Sequence, residues 1–198
     1  MSRSAPAPLT TRSTYHHGNL QAALEDAALS LLATQPAARI SLREVARRAG
    51  VSHNAPYNHF GDRAALLHAL GVRAMRELLE AQERAVDGEV EPVSRVRALG
   101  AAYVAYAADH PQAFALVFDS EYCPPGDPDA DMAPLITRNE ELLATEVAAL
   151  VQQPGFTGRD RDALAAGLWA SVHGMAMLVM LGHLPREVAE PALAALIA

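Results

Sequence analysis

Apolar residues recur at intervals of three and four along almost the whole chain, which is the spacing of one helix face. No segment shows the apolar–polar alternation of a strand, so the sequence predicts an all-α protein of about nine helices. The alanine-rich composition, with 5% aromatic residues, agrees with this prediction. The longer helices are expected at residues 19–34, 63–86, 92–109, 134–152 and 160–181, with short ones opening at Pro111 and Pro185.

Residues 41–60 predict two short helices joined by a tight turn. Ser41 is placed to cap the first helix, and Glu44 three residues later completes a capping box. Gly50 ends this helix, because glycine adopts the left-handed conformation of a helix stop without a Cβ penalty. The apolar stripe of the first helix is Leu42, Val45, Ala46 and Ala49.

The start of the second helix depends on Pro56. If Ser52 is the cap, Pro56 is the fourth helical residue, where proline forfeits a backbone hydrogen bond and crowds the preceding carbonyl. If Asn54 is the cap, the proline lies in the first turn, which tolerates it. We therefore expect a late start or a distorted first turn. The inward residues of this helix are predicted to be Ala55, Tyr57 and Phe60.

This pair of helices is typical of a helix-turn-helix, whose second helix enters a DNA major groove. Arginine suits phosphate and guanine, and asparagine suits adenine, so the polar residues of both helices fit contact with DNA. The alternative is an ordinary helical corner with solvated arginines. The polar residues concerned are Arg43, Arg47 and Arg48 on the first helix and His53, Asn54, Asn58 and His59 on the second.

Two runs in this region form a specific pattern. They read Leu42-Arg-Glu-Val-Ala-Arg-Arg-Ala-Gly-Val-Ser and Tyr57-Asn-His-Phe-Gly-Asp-Arg-Ala-Ala-Leu-Leu. Together with the earlier Tyr15-His-His-Gly-Asn-Leu, they resemble the N-terminal domain of TetR-type transcriptional repressors. The resemblance extends to Leu70 and implies a DNA-binding function.

The resemblance also implies roles for individual residues. Tyr57, His59 and Arg63 would contact DNA phosphates, with Arg63 in the place where the family usually has lysine. Ser41 would face the DNA backbone, and Ser52 would lie at the same interface. The candidates for contact with base edges are Arg43, His53, Asn54, Ala55 and Asn58.

The net charge of −7 is divided unevenly along the chain. Residues 1–84 have a balance of +3, whereas residues 85–198 have a balance of −10. There is no lysine, so all 16 basic residues are arginine. Because contact with phosphates needs local positive charge, the N-terminal part is the predicted DNA-binding part.

The chain is expected to have four parts. Residues 1–14 are rich in Ser, Pro, Ala and Thr and predict a disordered arm. Residues 15–62 form the helix-turn-helix domain, and residues 63–86 form a connecting helix capped by Asp62. This helix would cross roughly 35 Å at 1.5 Å per residue. Residues 87–198 form the ligand-binding and dimerisation domain.

A second resemblance concerns the C-terminal part. Trp169-Ala-Ser-Val-His-Gly lies in a predicted helix, and His110-Pro-Gln-Ala-Phe comes earlier. Both resemble the C-terminal domain of a TetR subfamily named for its Trp-His-Gly motif. That resemblance implies a homodimer held by a four-helix interface and a small effector bound inside each domain. The segment 168–184 could alternatively be a plain buried helix, but as a membrane span it is short and interrupted by polar residues.

The effector site is expected among aromatic and sulfur side chains on consecutive C-terminal helices. The alternative is a filled core, since aromatic residues at helical spacing usually just pack. The expected effector is uncharged or weakly polar, because no arginine lies on these faces to pair with an anion. The candidate residues are Tyr103, Tyr106, Phe114, Phe118, Trp169, His173 and Met177, with Ser171 and Met175 nearby.

Enzymatic chemistry has little support, and no cofactor is predicted. The histidines have no metal-ligand spacing, and there is no glycine-rich phosphate loop. Cys123 is the only cysteine and suits a reducing cytoplasm, although a redox bridge to a second subunit remains an alternative.

The sequence thus predicts a cytoplasmic, homodimeric transcriptional regulator. It is most simply a repressor that binds a palindromic operator in double-stranded DNA and leaves it when a small organic effector binds. The alternative is a helical ligand-binding protein or enzyme whose helix-turn-helix serves only protein interaction.

Overall fold

The computed structural model describes residues 17–197 of the chain. Within this range the chain forms nine α-helices and one short 3-10 helix, without a strand, so the predicted all-α fold is confirmed. The predicted arm at residues 1–14 lies outside the described range. The α-helices are α1 His17–Leu32, α2 Leu42–Ala49, α3 Ala55–Phe60, α4 Arg63–Asp87, α5 Pro92–Asp109, α6 Pro111–Val117, α7 Ala133–Leu150, α8 Arg161–Met180 and α9 Arg186–Leu196.

Local sequence sets the ends of the N-terminal helices. Ser41 Oγ accepts a hydrogen bond from the backbone N–H of Glu44 at 3.3 Å, and Asp62 accepts one in the first turn of α4 at 2.8 Å. Gly50 ends α2 with a φ of 68°, in the left-handed region that favours glycine. In the predicted capping box, the Glu44 carboxylate would also accept a hydrogen bond from the backbone N–H of Ser41. The Glu44 carboxylate instead accepts a hydrogen bond from Gln35 Nε2 at 3.2 Å.

The helix α3 begins late, with Asn54 as its N-cap and Pro56 in its first turn. This confirms the late start, and Ser52 is therefore not the cap. The inward orientation predicted for Tyr57 is wrong, because its side chain is 44% exposed while Pro56 is buried. Residues turn by about 100° each along a helix, so a buried side through Pro56 and Phe60 leaves Tyr57 facing solvent.

The helix α6 contributes to two apolar clusters. Its Leu116, with Tyr122 from the following loop, belongs to the N-terminal core formed by α1, α2 and the first half of α4. Its Phe114 belongs to the C-terminal core, which α6 shares with α4, α5, α8 and α9. Any shift of α6 is therefore felt by both clusters. The N-terminal core comprises Leu24, Ala27, Ala28, Leu31, Leu32, Ile40, Leu42, Val45, Leu66, Leu67, Leu70, Leu116 and Tyr122.

The helices α4 and α6 approach closely at Gly71. A Cβ added to this glycine would lie 3.2 Å from Cys123 Sγ and 3.3 Å from the carbonyl oxygen of Leu116. His68, one turn earlier on α4, contacts the carbonyl oxygen of Tyr122 through Nδ1 at 2.7 Å. The segment after α6 is thus fixed against the N-terminal half of α4.

A buried ion pair joins α5 to α7. Arg95 donates to both carboxylate oxygens of Glu146, at 2.7 and 2.8 Å, and Glu146 is only 2% exposed. The same guanidinium also donates to the backbone carbonyls of Val86 and Glu89 at 3.1 and 3.0 Å. One side chain therefore links the end of α4, the start of α5 and the C-terminal half of α7.

The helix α8 is the one described helix that is long and apolar enough to cross a membrane, judged by length and composition alone. Only 11% of its most apolar stretch is buried. Among the residues that the structure describes, nothing lies within 4 Å of a Cβ added at Gly167 or Gly174. An apolar face of this helix is therefore left uncovered by the described part of the chain.

Candidate nucleic-acid interface and aromatic cluster

The helix-turn-helix presents most of its predicted DNA contacts to solvent. The helix α2 buries Leu42, Val45 and Ala46, which turns its polar side outward. The side chain of Asn54 makes no hydrogen bond to its own helix, so its amide is free to meet a base. Among the predicted contacts, Ser41, Arg43, Ser52, His53, Asn54, Tyr57, Asn58 and His59 are exposed, whereas Ala55 and Arg63 are partly buried.

Exposed arginines surround this surface. Arg43, Arg47 and Arg48 lie on α2, and the pair between Arg47 and Glu44 is long at 3.9 Å, with the arginine 79% exposed. Such a pair is worth little in water, so Arg47 remains available to a phosphate. Arg39, two residues before Ser41, is also exposed, although sequence analysis assigned it no role. Its nearness in sequence to Ser41 is the signal that could have identified it.

Arg63 is held differently from the other predicted phosphate contacts. Its Nε donates to the carbonyl oxygen of Ile40 at 3.0 Å, and its Nη2 donates to that of Ala37 at 2.8 Å. These carbonyls belong to the segment that leads into α2. A guanidinium has five N–H donors, so further donors remain for a phosphate. Arg63 thus fixes α4 to the entrance of α2, a contact that the sequence did not predict.

Five of the predicted effector residues come together as one group, named here the aromatic cluster: Tyr103, Phe114, Phe118, Trp169 and His173. Tyr103 Oη and His173 Nδ1 are 2.8 Å apart. The ring centre of His173 lies 4.6 Å from that of Phe118 and 6.0 Å from that of Trp169. Phe114 is fully buried, but Phe118 and Trp169 are 42% and 50% exposed. The cluster therefore has a buried floor and an open rim.

Two protein-family models match the chain. The model described as "Bacterial regulatory proteins, tetR family" matches residues 24–70. The model described as "Tetracyclin repressor-like, C-terminal domain" matches residues 96–198, more than half of the chain. The chain belongs to the TetR family. Its N-terminal helix-turn-helix and its C-terminal helices are therefore the two domains of a TetR-family transcriptional regulator.

Solved structures agree with the TetR assignment. A protein of unknown function from Rhodococcus sp. RHA1 is 34% identical, with a TM-score of 0.79 over 94% of this chain and 97% of that chain. The TetR-family regulator PfmR from Thermus thermophilus is 20% identical, with a TM-score of 0.67 over 88% and 96%. FadR from Bacillus subtilis, solved with stearoyl-CoA, is 15% identical, with a TM-score of 0.68 over 89% and 96%. The last two show the shared fold alone. No curated protein sequence matches this chain.

The TetR subfamily with a Trp-His-Gly motif is not confirmed. The C-terminal model that matches carries a different description. The subfamily assignment from Trp169, His173 and Gly174 therefore stays a prediction.

Two other predicted effector residues of this TetR-family chain lie apart from the aromatic cluster. Tyr106 donates its hydroxyl hydrogen to Glu77 on α4 at 3.2 Å and lines a surface cleft of about 480 Å³ between α4 and α5. Met177 is partly buried and packs against the C-terminal core. A second cleft, of about 420 Å³, lies between α5 and α9 and is lined by residues outside the predicted set.

Burial disfavours the charged forms of four side chains in the C-terminal part: Tyr103, Tyr106, His173 and Cys123. It raises the pKa of the Tyr103 hydroxyl, and that of Tyr106, where Glu77 adds to the effect. It lowers the pKa of His173, so this imidazole is neutral near pH 7. Burial, together with nearby Asp129 and Asp119, raises the pKa of the Cys123 thiol to about 11. A thiol that is rarely ionised is a poor nucleophile, which argues against the redox bridge.

We expect the stability of this regulator to fall more steeply with acid than that of a His173→Phe variant. Folding lowers the pKa of His173, so below its ordinary value of 6.5 the unfolded chain binds the proton more readily than the folded one. The stabilisation from neutral His173 is full above pH 6.5 and is lost as the pH falls toward the folded pKa. Urea unfolding at pH 7.5, 6.5 and 5.5 measures this difference, and equal losses in both proteins would contradict it.

Proposed function

We propose that this TetR-family regulator is a cytoplasmic, homodimeric repressor that binds a palindromic operator through α3 and leaves it when a small, uncharged organic molecule binds. The observation that carries the proposal is the pairing of two exposed features. The first is the polar surface of α2 and α3, and the second is the uncovered apolar face of α8.

The face of α8 fits a second copy of the chain. A stripe of exposed residues, here called the α8 stripe, follows the spacing of one helix side. Small residues along it allow two helices to approach closely, and leucines at its end supply apolar area. A two-fold axis through this face would pair the stripe with itself. The α8 stripe consists of Gly167, Ala170, Gly174, Leu178 and Leu181.

A dimer of this kind explains a palindromic operator. Each copy presents one α3, and two such helices read successive major grooves when they are about 34–36 Å apart. Anything that changes the angle between the copies changes this distance. The effector needs only to favour a spacing that does not fit DNA, and its effect is limited by its differential affinity for the two states.

Two neighbouring residues of α6, which contact different clusters, offer a route for the signal. Phe114 is in the aromatic cluster, and Leu116, two residues later, is in the N-terminal core. A molecule that displaces the cluster would therefore also disturb the packing beneath the helix-turn-helix.

A second route runs through Arg73 on α4. Its guanidinium contacts Asp26 and Glu25 on α1, at 2.7 and 3.6 Å, and Glu77 on its own helix at 2.9 Å. Glu77 in turn accepts a hydrogen bond from Tyr106 on α5. The chain of contacts thus joins α5, α4 and α1.

The proposal is tested with purified protein and labelled DNA from upstream of its own gene. Fluorescence anisotropy should show saturable binding that competitor DNA of random sequence does not remove. A panel of uncharged organic compounds is then screened for release of the DNA. Absence of specific binding to this DNA, and to fragments selected from random sequence, would favour a helix-turn-helix used only for protein interaction.

We expect Asn54→Ala to relax sequence preference rather than abolish binding. The lost base contact should cost about 1–3 kcal/mol of discrimination at one operator position. Stability should barely change, because the Asn54 side chain makes no capping hydrogen bond. Binding to the operator and to single-base variants measures the effect. Tyr57→Phe is the control and should weaken binding to all sequences alike. If both variants weaken binding uniformly, this division of roles is wrong.

We expect Trp169→Ala to impair release by the effector while leaving the operator affinity of the free protein unchanged. Trp169 lies at the open rim of the aromatic cluster, more than 100 residues along the chain from α3. Removing the ring should raise the effector concentration needed for release by about tenfold or more. Trp169→Phe keeps a ring and should retain most of the response. A normal response in Trp169→Ala would place the effector elsewhere.

A further inference from the structure

The hydrogen bond between Tyr103 and His173 determines which ring nitrogen carries the proton. The Tyr103 side chain is only 3% exposed, so its hydroxyl hydrogen needs an acceptor inside the protein. Among the described residues, the acceptor with hydrogen-bond geometry is His173 Nδ1, at 2.8 Å from the Tyr103 oxygen.

It follows that Nδ1 of His173 accepts and Nε2 carries the hydrogen. If Nδ1 carried the hydrogen instead, it would donate to Tyr103 and leave the buried hydroxyl hydrogen without an acceptor. Burial keeps the imidazole neutral, as described above. His173 therefore presents one N–H donor from Nε2, for which the described part of the chain provides no hydrogen-bond partner.

The surroundings of this donor are aromatic and partly open. Phe118 packs edge-on to the imidazole at 4.6 Å between ring centres, and Trp169 lies at 6.0 Å. Both rings are about half exposed, so flat apolar area lies beside a free N–H. The polar groups of the cluster are a hydroxyl, an imidazole and an indole, all uncharged. A charged ligand would find no counter-charge among them.

We propose that the aromatic cluster binds a neutral, planar molecule whose carbonyl oxygen accepts a hydrogen bond from His173 Nε2 and whose apolar body covers Phe118 and Trp169. The proposal rests on the effector site of the proposed function and specifies its ligand class. In this arrangement Tyr103 does not touch the ligand. It is a positioning residue that holds His173 in the state able to donate.

The first test compares two probes that differ by one carbonyl group, 1-acetonaphthone and 1-ethylnaphthalene. Trp169 is the only tryptophan, so its indole N–H gives a single NMR signal that reports binding at the rim. Long-range ¹H–¹⁵N spectra report the protonation of each ring nitrogen, and the His173 signals are identified by their absence in His173→Phe. We expect His173 protonated at Nε2, and the ketone to bind about five- to tenfold more tightly than the hydrocarbon.

Two variants separate the donor from the ring. His173→Phe keeps an aromatic ring and should bind both probes equally. Tyr103→Phe removes the hydroxyl that holds the imidazole, so the preference for the ketone should shrink while the hydrocarbon binds as before. A purely structural role for Tyr103 would weaken both probes together. The quantity compared between proteins is the ratio of each protein's affinities for the ketone and the hydrocarbon. If a variant fails to fold, the wild-type ratio alone still decides.

A second measurement asks whether a partner subunit already covers the rim. We expect acrylamide to quench Trp169 fluorescence in the free dimer, and 1-acetonaphthone to slow hydrogen exchange of the indole N–H. Strong shielding of Trp169 in the free dimer would assign the rim to the subunit interface and overturn the proposal. So would protonation at Nδ1, equal affinity for the two probes, or no shift of either signal. Operator binding of the free protein is independent of these results, so its loss would instead contradict the proposed function.

Discussion

Replacing Gly174 with arginine should give a folded monomer that binds operator DNA at least about a hundredfold more weakly than the wild-type protein. Nothing in residues 17–197 lies within 4 Å of a Cβ at this position, and arginine favours a helix more than glycine does, so the subunit itself should tolerate the change. A symmetric seam along the α8 stripe would receive two such arginines. Loss of the dimer removes the second half-site contact, which accounts for the weaker binding. Analytical ultracentrifugation and fluorescence anisotropy measure the two effects.

Val90→Arg is the matched control for this variant. Val90 follows α4, is 87% exposed and is not a member of the α8 stripe. It should remain dimeric and bind the operator normally. A Gly174→Arg protein that stays dimeric at the same concentration would remove α8 from the proposed interface. A monomer with full operator affinity would show that dimerisation is not needed for binding.

Replacing Arg63 should have two separable consequences. Arg63→Ala removes the proposed phosphate contact and the two hydrogen bonds to the entrance of α2, so it should weaken binding to every sequence and lower the thermal midpoint. The loss should be about ten- to a hundredfold per half-site. The salt dependence should flatten by roughly one unit of slope per subunit. Arg63→Lys keeps the charge but cannot span both carbonyls as a planar fork, so it should retain the salt slope and still lose stability.

Arg84→Ala is the control on the same helix. Arg84 lies near the far end of α4, roughly 30 Å from Arg63 at 1.5 Å per residue, and is 69% exposed. The Arg84→Ala protein should bind the operator with the same affinity and the same salt dependence as the wild-type protein. If Arg63→Lys loses the salt slope as completely as Arg63→Ala, the phosphate contact depends on the guanidinium shape rather than on its charge. An unchanged slope in Arg63→Ala would remove Arg63 from the DNA interface.

Prediction from sequence succeeds where the determinants are local. Ser41, Gly50 and Asp62 each act within a few residues, so their caps and stops follow from residue type and spacing. The late start of α3 is predictable for the same reason, since it follows from what proline forbids. The orientation of the Tyr57 side chain cannot be predicted in this way. It depends on where the helix begins and on the direction from which α4 and the core pack against it.

Contacts between distant segments are the part that sequence could not supply. The acceptors of Arg63 are backbone carbonyls 23 and 26 residues away, and a carbonyl has no signature in the sequence. Likewise, the sequence identifies the aromatic residues of the C-terminal part as a group, but it does not show which of them contact one another. Only the packing of α5, α6 and α8 separates Tyr106 from the rings around His173.

The place of Leu116 in the N-terminal core bears on how regulators of this design can be recombined. A chimera that joined residues 17–87 to the C-terminal half of a relative would inherit that relative's α6. If that helix lacked a side chain the size of leucine at the position of Leu116, a cavity would remain in the cluster around Leu24 and Leu70. A missing leucine lowers the free energy of unfolding by about 2–5 kcal/mol. The helix-turn-helix domain can therefore not be transferred alone without losing part of its core. A chimera that combines a new operator with a new effector would have to keep α6 and Tyr122 together with the helix-turn-helix.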